Sequence, residues 1–236
     1  MRHPHGYDIE AGLRFIASGL DYHRRLLDRW LPDTGVVGDI GCGQGRVAVF
    51  YDRPGRRVIG VDSDPTIVAA ANRHGHGNFV VASAFALPFA DHSLAAYVGL
   101  GIIAEARDDT TPDLDPLAPA RCLAEASRVV AASGILYISV PFRNLPRRLG
   151  ASASWNEQLI PSFSAGSIRD LVLDAGFEAL VLRESSLAWG LGPLRRAASL
   201  ARMALVREDE AAQSYRILFP VLRHFANSLV VIARRR

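Results

Sequence analysis

The chain has 236 residues, of which 49% are hydrophobic and 22% charged; this favours one globular α/β domain with a sizeable core and excludes an intrinsically disordered chain. The formal net charge is +3, all basic side chains other than histidine are arginine because the sequence contains no lysine, and their scattered positions do not indicate a nucleic-acid partner. The two cysteines lie far apart, which excludes a disulfide framework and favours a reducing compartment.

The N-terminal stretch predicts helical structure. Between residues 8 and 31 apolar side chains recur at helical spacings, and Pro32 then ends the helix. The first ten residues lack the apolar run of a signal peptide. No uncharged apolar stretch approaches the roughly 20 residues that span a bilayer. We therefore expect a soluble, cytoplasmic protein.

Residues 36–46 read VVGDIGCGQGR and combine a strand, a loop and the start of a helix. Residues 36–40 suit a short buried strand, and the apolar positions from Val47 to Tyr51 suit a helix. Three glycines between them let the backbone turn sharply and let a ligand approach the main chain closely: Gly41, Gly43 and Gly45. The pattern predicts a nucleotide-type cofactor site at the end of the first strand.

Two details distinguish between cofactors. The dinucleotide fingerprint has a third glycine where this chain has Arg46, which weakens the case for NAD. Asp39 precedes the first loop glycine, and a carboxylate there would repel a pyrophosphate. The same carboxylate suits a cofactor that carries an ammonium and a sulfonium charge.

The second predicted strand, RVIGVDSD at residues 57–64, contains Asp62 near its end. An acid about 20 residues beyond a glycine loop, at the end of the next strand, is placed to accept hydrogen bonds from ribose hydroxyls. Asp64 and Pro65 then start a helix that runs to about Asn72.

The DIGCGQG stretch resembles the first motif of the class I S-adenosylmethionine-dependent methyltransferases, in particular the small-molecule methyltransferases of type 11. Residues 57–64, 82–101 (ASAFALPFADHSLAAYVGLG) and 122–141 match further segments of that family in order, and the likeness covers about residues 10–186 and the last strand. The resemblance implies an α/β fold, a Rossmann-like doubly wound seven-stranded sheet whose last strand is antiparallel, with helices on both faces.

The resemblance also implies the domain organisation. We expect one methyltransferase domain over residues 1–236, with an N-terminal helical cap at 1–34 and a helical insertion at 187–226 before the last strand. In relatives such a cap lies across the cofactor mouth, which makes three residues candidates for contact there, although a helix that packs on the sheet is the favoured alternative: Tyr7, Tyr22 and His23.

The cofactor implied by the resemblance is S-adenosyl-L-methionine. Ser83 stands where the family has an acid beside the adenine, so its hydroxyl or the Phe85 backbone is the candidate for that contact. The predicted cofactor-binding residues are Asp39, Gly41, Cys42, Gly43, Gly45, Asp62, Ser63, Ser83, Ala84, Phe85 and Leu100. No metal site is predicted, because the aspartates of residues 106–119 favour a solvated lid over a cation site.

Strand four, Ala95 to Leu100, leads to the place where the methyl group is expected. Glu105 follows, where relatives often have a histidine, and it is the candidate catalytic residue. A general base, a site for an amine-bearing substrate, and a cap or ion pair of the next helix all remain open for it. Residues 91–93, Asp-His-Ser, favour a turn over a catalytic triad.

The C-terminal third is predicted from local signals. Ser164 is the expected N-cap of a helix that Gly176 ends, followed by a sixth strand, and residues 227–234 form the seventh. An apolar stripe at 194–205 with flanking arginines predicts a basic amphipathic helix. Packing over the active site is favoured for it, and peripheral membrane contact is the alternative.

The sequence therefore predicts transfer of a methyl group to a small organic acceptor. No nucleic-acid partner is expected, because neither an Asn/Asp-Pro-Pro-aromatic motif nor a Pro-Cys pair occurs. The oligomeric state stays open. The alternatives are a lipid or glycolipid methyltransferase at a membrane surface and a non-catalytic S-adenosylmethionine-binding protein.

Overall fold

The structure is a computed structural model that describes residues 23–24, 26–73, 78–106, 115–143, 161–187, 206–209, 214–217 and 226–236. The chain divides into two compact units, Met1–Leu31 and Pro32–Arg236. In the first unit the described residues are helical at 23–24 and 26–30, and three leucines are buried: Leu26, Leu27 and Leu31. The remainder of the predicted N-terminal helix, with Tyr7 and Tyr22, lies outside the described residues.

The described residues of the second unit form a seven-stranded sheet, a two-stranded sheet made of Val206–Asp209 and Ser214–Ile217, and five helices. Its strands are β1 Gly35–Ile40, β2 Arg56–Asp62, β3 Asn78–Val81, β4 Leu94–Leu100, β5 Val130–Pro141, β6 Phe177–Leu187, β7 Val206–Asp209, β8 Ser214–Ile217 and β9 Ala226–Arg235. Its helices are α1 Arg46–Tyr51, α2 Pro65–Arg73, α3 Ile102–Glu105, α4 Ala118–Val129 and α5 Ala165–Asp174.

The strand order in the large sheet is β3-β2-β1-β4-β5-β9-β6. The first five of these strands pair in parallel, and β9 pairs antiparallel with both β5 and β6. This confirms the predicted Rossmann-like sheet with an antiparallel last strand. The chain builds outward from β1 to β3 and then returns to the other side of β1, so the order reverses between β1 and β4, where ligands bind in open α/β sheets.

The core lies along the middle of this sheet. Neighbouring residues of a strand point to opposite faces, yet Tyr137 and Ile138 of β5 are both fully buried. Both faces of the sheet are therefore covered, as expected for parallel strands with crossover helices. The strands that lead into the glycine loop are therefore packed on both faces.

The predicted boundaries of α5 are confirmed. The Ser164 hydroxyl oxygen accepts a hydrogen bond from the Ser167 N–H, and the Ser167 hydroxyl oxygen accepts one from the Ser164 N–H, which forms a capping box. The helix ends before Gly176, whose positive φ of 84° a glycine adopts without steric cost.

The predicted helical insertion at 187–226 differs from the structure in part. Within it, β7 and β8 pair antiparallel, with Val206 opposite Ile217. β8 contains two residues that favour strands, Tyr215 and Ile217, and β7 contributes Val206, which pairs opposite Ile217. The predicted apolar stripe at 194–205 lies outside the described residues.

Candidate functional site

The glycine loop connects β1 to α1 and is built from left-handed backbone. The φ angles are 69° at Gly41, 53° at Gly43 and 81° at Gly45. The N–H groups of Gly41 and Cys42 donate to the Val61 carbonyl at 2.8 and 3.0 Å, which holds the loop against the end of β2. Residues with a Cβ atom adopt such φ angles at a steric cost, so the sequence of this loop follows from its backbone shape.

The surroundings of the three glycines differ. A Cβ atom at Gly45 would lie 2.3 Å from Cζ of Phe79, and one at Gly41 would lie 3.0 Å from Cβ of Ile102. A Cβ atom at Gly43 would meet no heavy atom within 4 Å. Two glycines therefore allow close packing inside the protein, whereas Gly43 presents its backbone to open space.

Asp62 joins the end of β2 to this loop. Its Oδ2 accepts a hydrogen bond from the Gly43 N–H at 3.0 Å, and its Oδ1 accepts one from the Asp64 N–H at 3.1 Å. Each carboxylate oxygen can accept two hydrogen bonds, so the side chain retains capacity for hydroxyl donors. Ser63, the next residue, is exposed.

Two further polar groups lie in or beneath the loop. Asp39 is buried at 3% exposure on β1, in register with Val98 of β4. Burial, together with the carboxylates of Asp39 and Asp62, raises the pKa of the Cys42 thiol well above its ordinary value, so this thiol is neutral. The negative potential of two carboxylates favours a cationic ligand group over a phosphate.

Gln44 is a loop residue that the sequence reasoning left out. Its Oε1 atom is buried and accepts no hydrogen bond from the described residues. Its position between Gly43 and Gly45 could have indicated that it belongs to the candidate site. Ile102 was also missed, because its packing on Gly41 depends on the neighbouring placement of β1 and β4.

The loop after β3 carries the next group of predicted residues. The Ser83 Oγ accepts a hydrogen bond from the Phe85 N–H at 3.2 Å, and the Ser83 carbonyl accepts one from the Ala86 N–H at 3.1 Å. The Phe85 N–H, one of two sequence candidates for the adenine contact, is thus already used inside this turn. The Ser83 hydroxyl proton remains a donor, and Ala84 is buried.

The end of β4 adjoins the glycine loop on its other side. β4 ends at Leu100, and Gly101, with a φ of 95°, leads into the short helix α3. Ile102 of that helix packs on Gly41. Glu105 ends α3 with an exposed side chain, and its Oε1 lies 3.5 Å from the position of a Cβ atom built on Gly101.

The Asp-His-Ser sequence at 91–93 forms a turn, as predicted. Asp91 pairs with Arg128 at 2.7 Å, the Ser93 hydroxyl donates to the Ala90 carbonyl, and the His92 Nδ1 lies 3.4 Å from the Val130 carbonyl. The three side chains engage different partners and not one another, which is not the arrangement of a triad.

Other sequence candidates are only partly visible. Of the four aspartates in 106–119, Asp115 is described and pairs with Arg121, and the others lie outside the described residues. No group of three or more His, Cys, Asp or Glu side chains in the described part of the chain could hold a metal ion. The described helices include none that is long and apolar enough to cross a membrane.

Residues 38–138 match the methyltransferase domain family. A probable S-adenosylmethionine-dependent methyltransferase of Mycobacterium tuberculosis is 30% identical over 142 residues, which make up 60% of this chain and 48% of that protein. The chain thus spans about half the length of the curated relatives it matches.

Solved structures share the fold. A chain of the complex that the Haloferax volcanii Trm112 methyltransferase activator forms with a methyltransferase has a TM-score of 0.67 at 16% identity, over 96% of this chain and 94% of that one. An S-adenosylmethionine-dependent methyltransferase of Thermotoga maritima, described as a possible histamine N-methyltransferase, has a TM-score of 0.62 at 20% identity, over 96% of this chain and 95% of that one.

Proposed function

We propose that this chain, which belongs to the class I S-adenosylmethionine-dependent methyltransferases, transfers the methyl group of its cofactor S-adenosyl-L-methionine to a small organic acceptor. The observation that carries the proposal is the glycine loop, where Gly43 opens onto free space beside the Asp62 carboxylate. We place the protein in the cytoplasm and propose no nucleic-acid partner.

The residues present fit this cofactor. Asp62 retains acceptor capacity for ribose hydroxyls, and the buried Asp39 carboxylate suits a nearby ammonium or sulfonium charge. We assign the backbone of 41–45 to the amino-acid part and the turn at 83–85 to the base, with Leu100 near the methyl group. The bound cofactor supplies an activated methyl group, and the protein contributes mainly by positioning the acceptor in line with it.

Glu105 is the candidate for proton removal from the acceptor or for binding of an acceptor amine. Its carboxylate is exposed at the end of α3, on the β4 side of the loop, whereas Asp62 and the turn at 83–85 lie on the β2 and β3 side. A group in this position can act on the acceptor without contacting the adenosine part of the cofactor.

The substitution Glu105→Gln tests this role because it retains the shape and removes the charge. We expect turnover with the true acceptor to fall by about 10²–10⁴-fold if Glu105 is a general base, with the affinity for S-adenosylhomocysteine unchanged. Steady-state kinetics and calorimetry measure the two quantities. Wild-type turnover in this variant would show that catalysis here uses proximity alone.

Calorimetry tests the proposed function directly. We expect S-adenosylhomocysteine to bind and NAD not to bind, because Arg46 replaces the third glycine and Asp39 disfavours a pyrophosphate. Gly43→Ala places a methyl group in the open space of the loop and should weaken binding by at least tenfold.

Gly55→Ala is the matched control. Gly55 also has a positive φ, 90°, but it precedes β2 and lies at the opposite edge of the sheet from the glycine loop. Gly55→Ala likewise places a Cβ atom at a positive φ, and its effect on binding should be small. Tight NAD binding with no response to S-adenosylhomocysteine would refute the proposal.

A further inference from the structure

One face of α4 carries a row of charged side chains, Arg121, Glu125 and Arg128. They are spaced four and three residues apart, so they lie on the same side of the helix. Together they contact the segment from Phe85 to Asp91, which follows β3. We call this row the α4 charged row.

Glu125 and Arg128 of the α4 charged row bind backbone atoms of this segment. The Glu125 Oε1 accepts a hydrogen bond from the Leu87 N–H at 2.7 Å. The Arg128 guanidinium donates to the Leu87 carbonyl at 3.1 Å and to the Phe89 carbonyl at 2.8 Å. It also pairs with both oxygens of Glu125, at 2.9 and 2.6 Å. Leu87 is thereby held on both its N–H and its carbonyl.

Arg121, the first residue of the α4 charged row, contacts an aromatic ring. The Arg121 Cζ lies 4.3 Å from the centroid of the Phe85 ring, which is the geometry of a cation–π contact. The Asp115 Oδ2 holds the Arg121 Nη1 at 3.0 Å, and the Asp115 Oδ1 accepts a hydrogen bond from the Leu117 N–H at 2.8 Å at the start of the helix. Asp115 therefore orients Arg121 over the ring.

Phe85 is also the residue that shapes the turn at 83–85. Its N–H donates to the Ser83 Oγ, so the position of the Ser83 hydroxyl depends on where Phe85 is held. β3 pairs in parallel with β2 at the edge of the sheet, with Asp62 in register with Val81, so the turn that follows β3 lies next to Asp62. A ligand whose ribose contacts Asp62 would extend its base toward this turn.

We propose that Arg121 is a positioning residue of the cofactor site: through Phe85 it fixes the Ser83 turn that borders the base. The inference rests on the proposed function and deepens it. Arg121 acts through Phe85 and does not contact the cofactor itself. The remaining members of the α4 charged row anchor the following residues, so Phe85 is the part of the segment that depends on Arg121.

Calorimetric titration with S-adenosylhomocysteine tests the proposal. Arg121→Met removes the charge above the ring while retaining an apolar chain of similar length. We expect binding to weaken about three- to tenfold, which corresponds to one partly desolvated cation–π contact. The melting temperature should change little, because the Arg121 side chain is 46% exposed. Arg121→Lys keeps the charge without the planar stacking and should recover part of the loss.

Two further measurements separate positioning from general destabilisation. Val172→Ala removes fully buried apolar volume in α5, so it should lower the melting temperature without changing the affinity. In a Phe85→Leu background, Arg121→Met should have no additional effect, because the contact it removes is already absent.

The outcomes distinguish the two levels of the proposal. If the wild-type protein does not bind S-adenosylhomocysteine, the proposed function and this inference both fail. If it binds and Arg121→Met binds equally well, or loses the same affinity in the Phe85→Leu background, the inference alone is overturned.

Discussion

Asp62 shows how one side chain serves both the fold and the candidate site. Its two oxygens accept hydrogen bonds from the N–H groups of Gly43 and Asp64, so the carboxylate fixes the open part of the glycine loop before any ligand is present. From sequence, Asp62 is predicted only as a ribose acceptor. The structure adds that its removal will also affect the protein without ligand.

Asp62→Ala should therefore have two effects. Affinity for S-adenosylhomocysteine should fall by about 1–3 kcal/mol, because ribose hydroxyls lose their acceptor. The melting temperature of the free protein should also fall, since two backbone N–H groups lose bonds that contribute about 0.5–1.5 kcal/mol each. Calorimetry and thermal unfolding measure these changes.

Asp52→Ala is the control for the second effect. The Asp52 Oδ1 likewise accepts a backbone hydrogen bond, from the Val58 N–H at 2.7 Å, but Asp52 follows α1 at the other end of the sheet. This variant should lose stability and retain cofactor affinity. Unchanged affinity in Asp62→Ala would contradict the assignment of β2 to the ribose.

Among the elements, α4 links the segment that follows β3 to the core. Its apolar face is buried, with Cys122, Leu123 and Ala126 at 0% exposure, while its charged row binds the segment after β3. Hydrogen bonds from Arg128, and to a lesser extent the backbone bond from Leu87, lower the pKa of the Glu125 carboxyl, against the opposing effect of its burial.

This pKa shift predicts a pH dependence of stability. A carboxyl group whose pKa is lower in the folded than in the unfolded state stabilises the folded protein at pH values above the pKa of the unfolded state, near 4.5. This stabilisation is lost as the pH falls through the pKa of the folded state. Glu125→Gln should reduce the stability at neutral pH and flatten the loss of unfolding free energy below about pH 4.5. Urea unfolding across this range measures the effect.

Arg128→Met provides the partner variant. Because Arg128 is the main cause of the shift, this change should flatten the same part of the pH profile, and the double variant should resemble either single one. A wild-type profile in Glu125→Gln would mean that another carboxyl governs the acid transition.

The second unit buries both cysteines of the chain. Cys42 is 3% exposed and Cys122 is fully buried, and both are free. Burial raises the pKa of Cys122 to about 12 and that of Cys42 still further. The reactive species of a cysteine is the thiolate, so both thiols are protected by charge state as well as by access.

Thiol labelling at pH 8 should therefore be slow. We expect both cysteines to react only through opening of the structure, with rates far below those of the urea-unfolded chain. S-adenosylhomocysteine should slow Cys42 more than Cys122, because Cys42 lies in the glycine loop and Cys122 on α4. Equal protection of both by the ligand would indicate global stabilisation, and rapid native labelling of Cys42 would contradict its burial.

The backbone of the glycine loop and the ends of α5 could be predicted from sequence because their signals are local. The glycine loop requires left-handed backbone at Gly41, Gly43 and Gly45, and only a few residue types accept it. The Ser164 cap and the helix end at Gly176 are also encoded within a few residues. The order of matching segments then implied the sheet, and the pairing of β9 confirmed it.

The tertiary structure alone decided the contacts that join distant residues. Arg128 binds the Leu87 carbonyl across 41 residues, and the packing of Ile102 on Gly41 needs β1 and β4 to be neighbours. In the same way, the hydrogen bond that the Gly43 N–H donates to Asp62, across 19 residues, determines how much acceptor capacity of that carboxylate remains for a ligand. Local preferences act over a few residues, whereas these contacts form only after the sheet has brought its strand ends together at one edge.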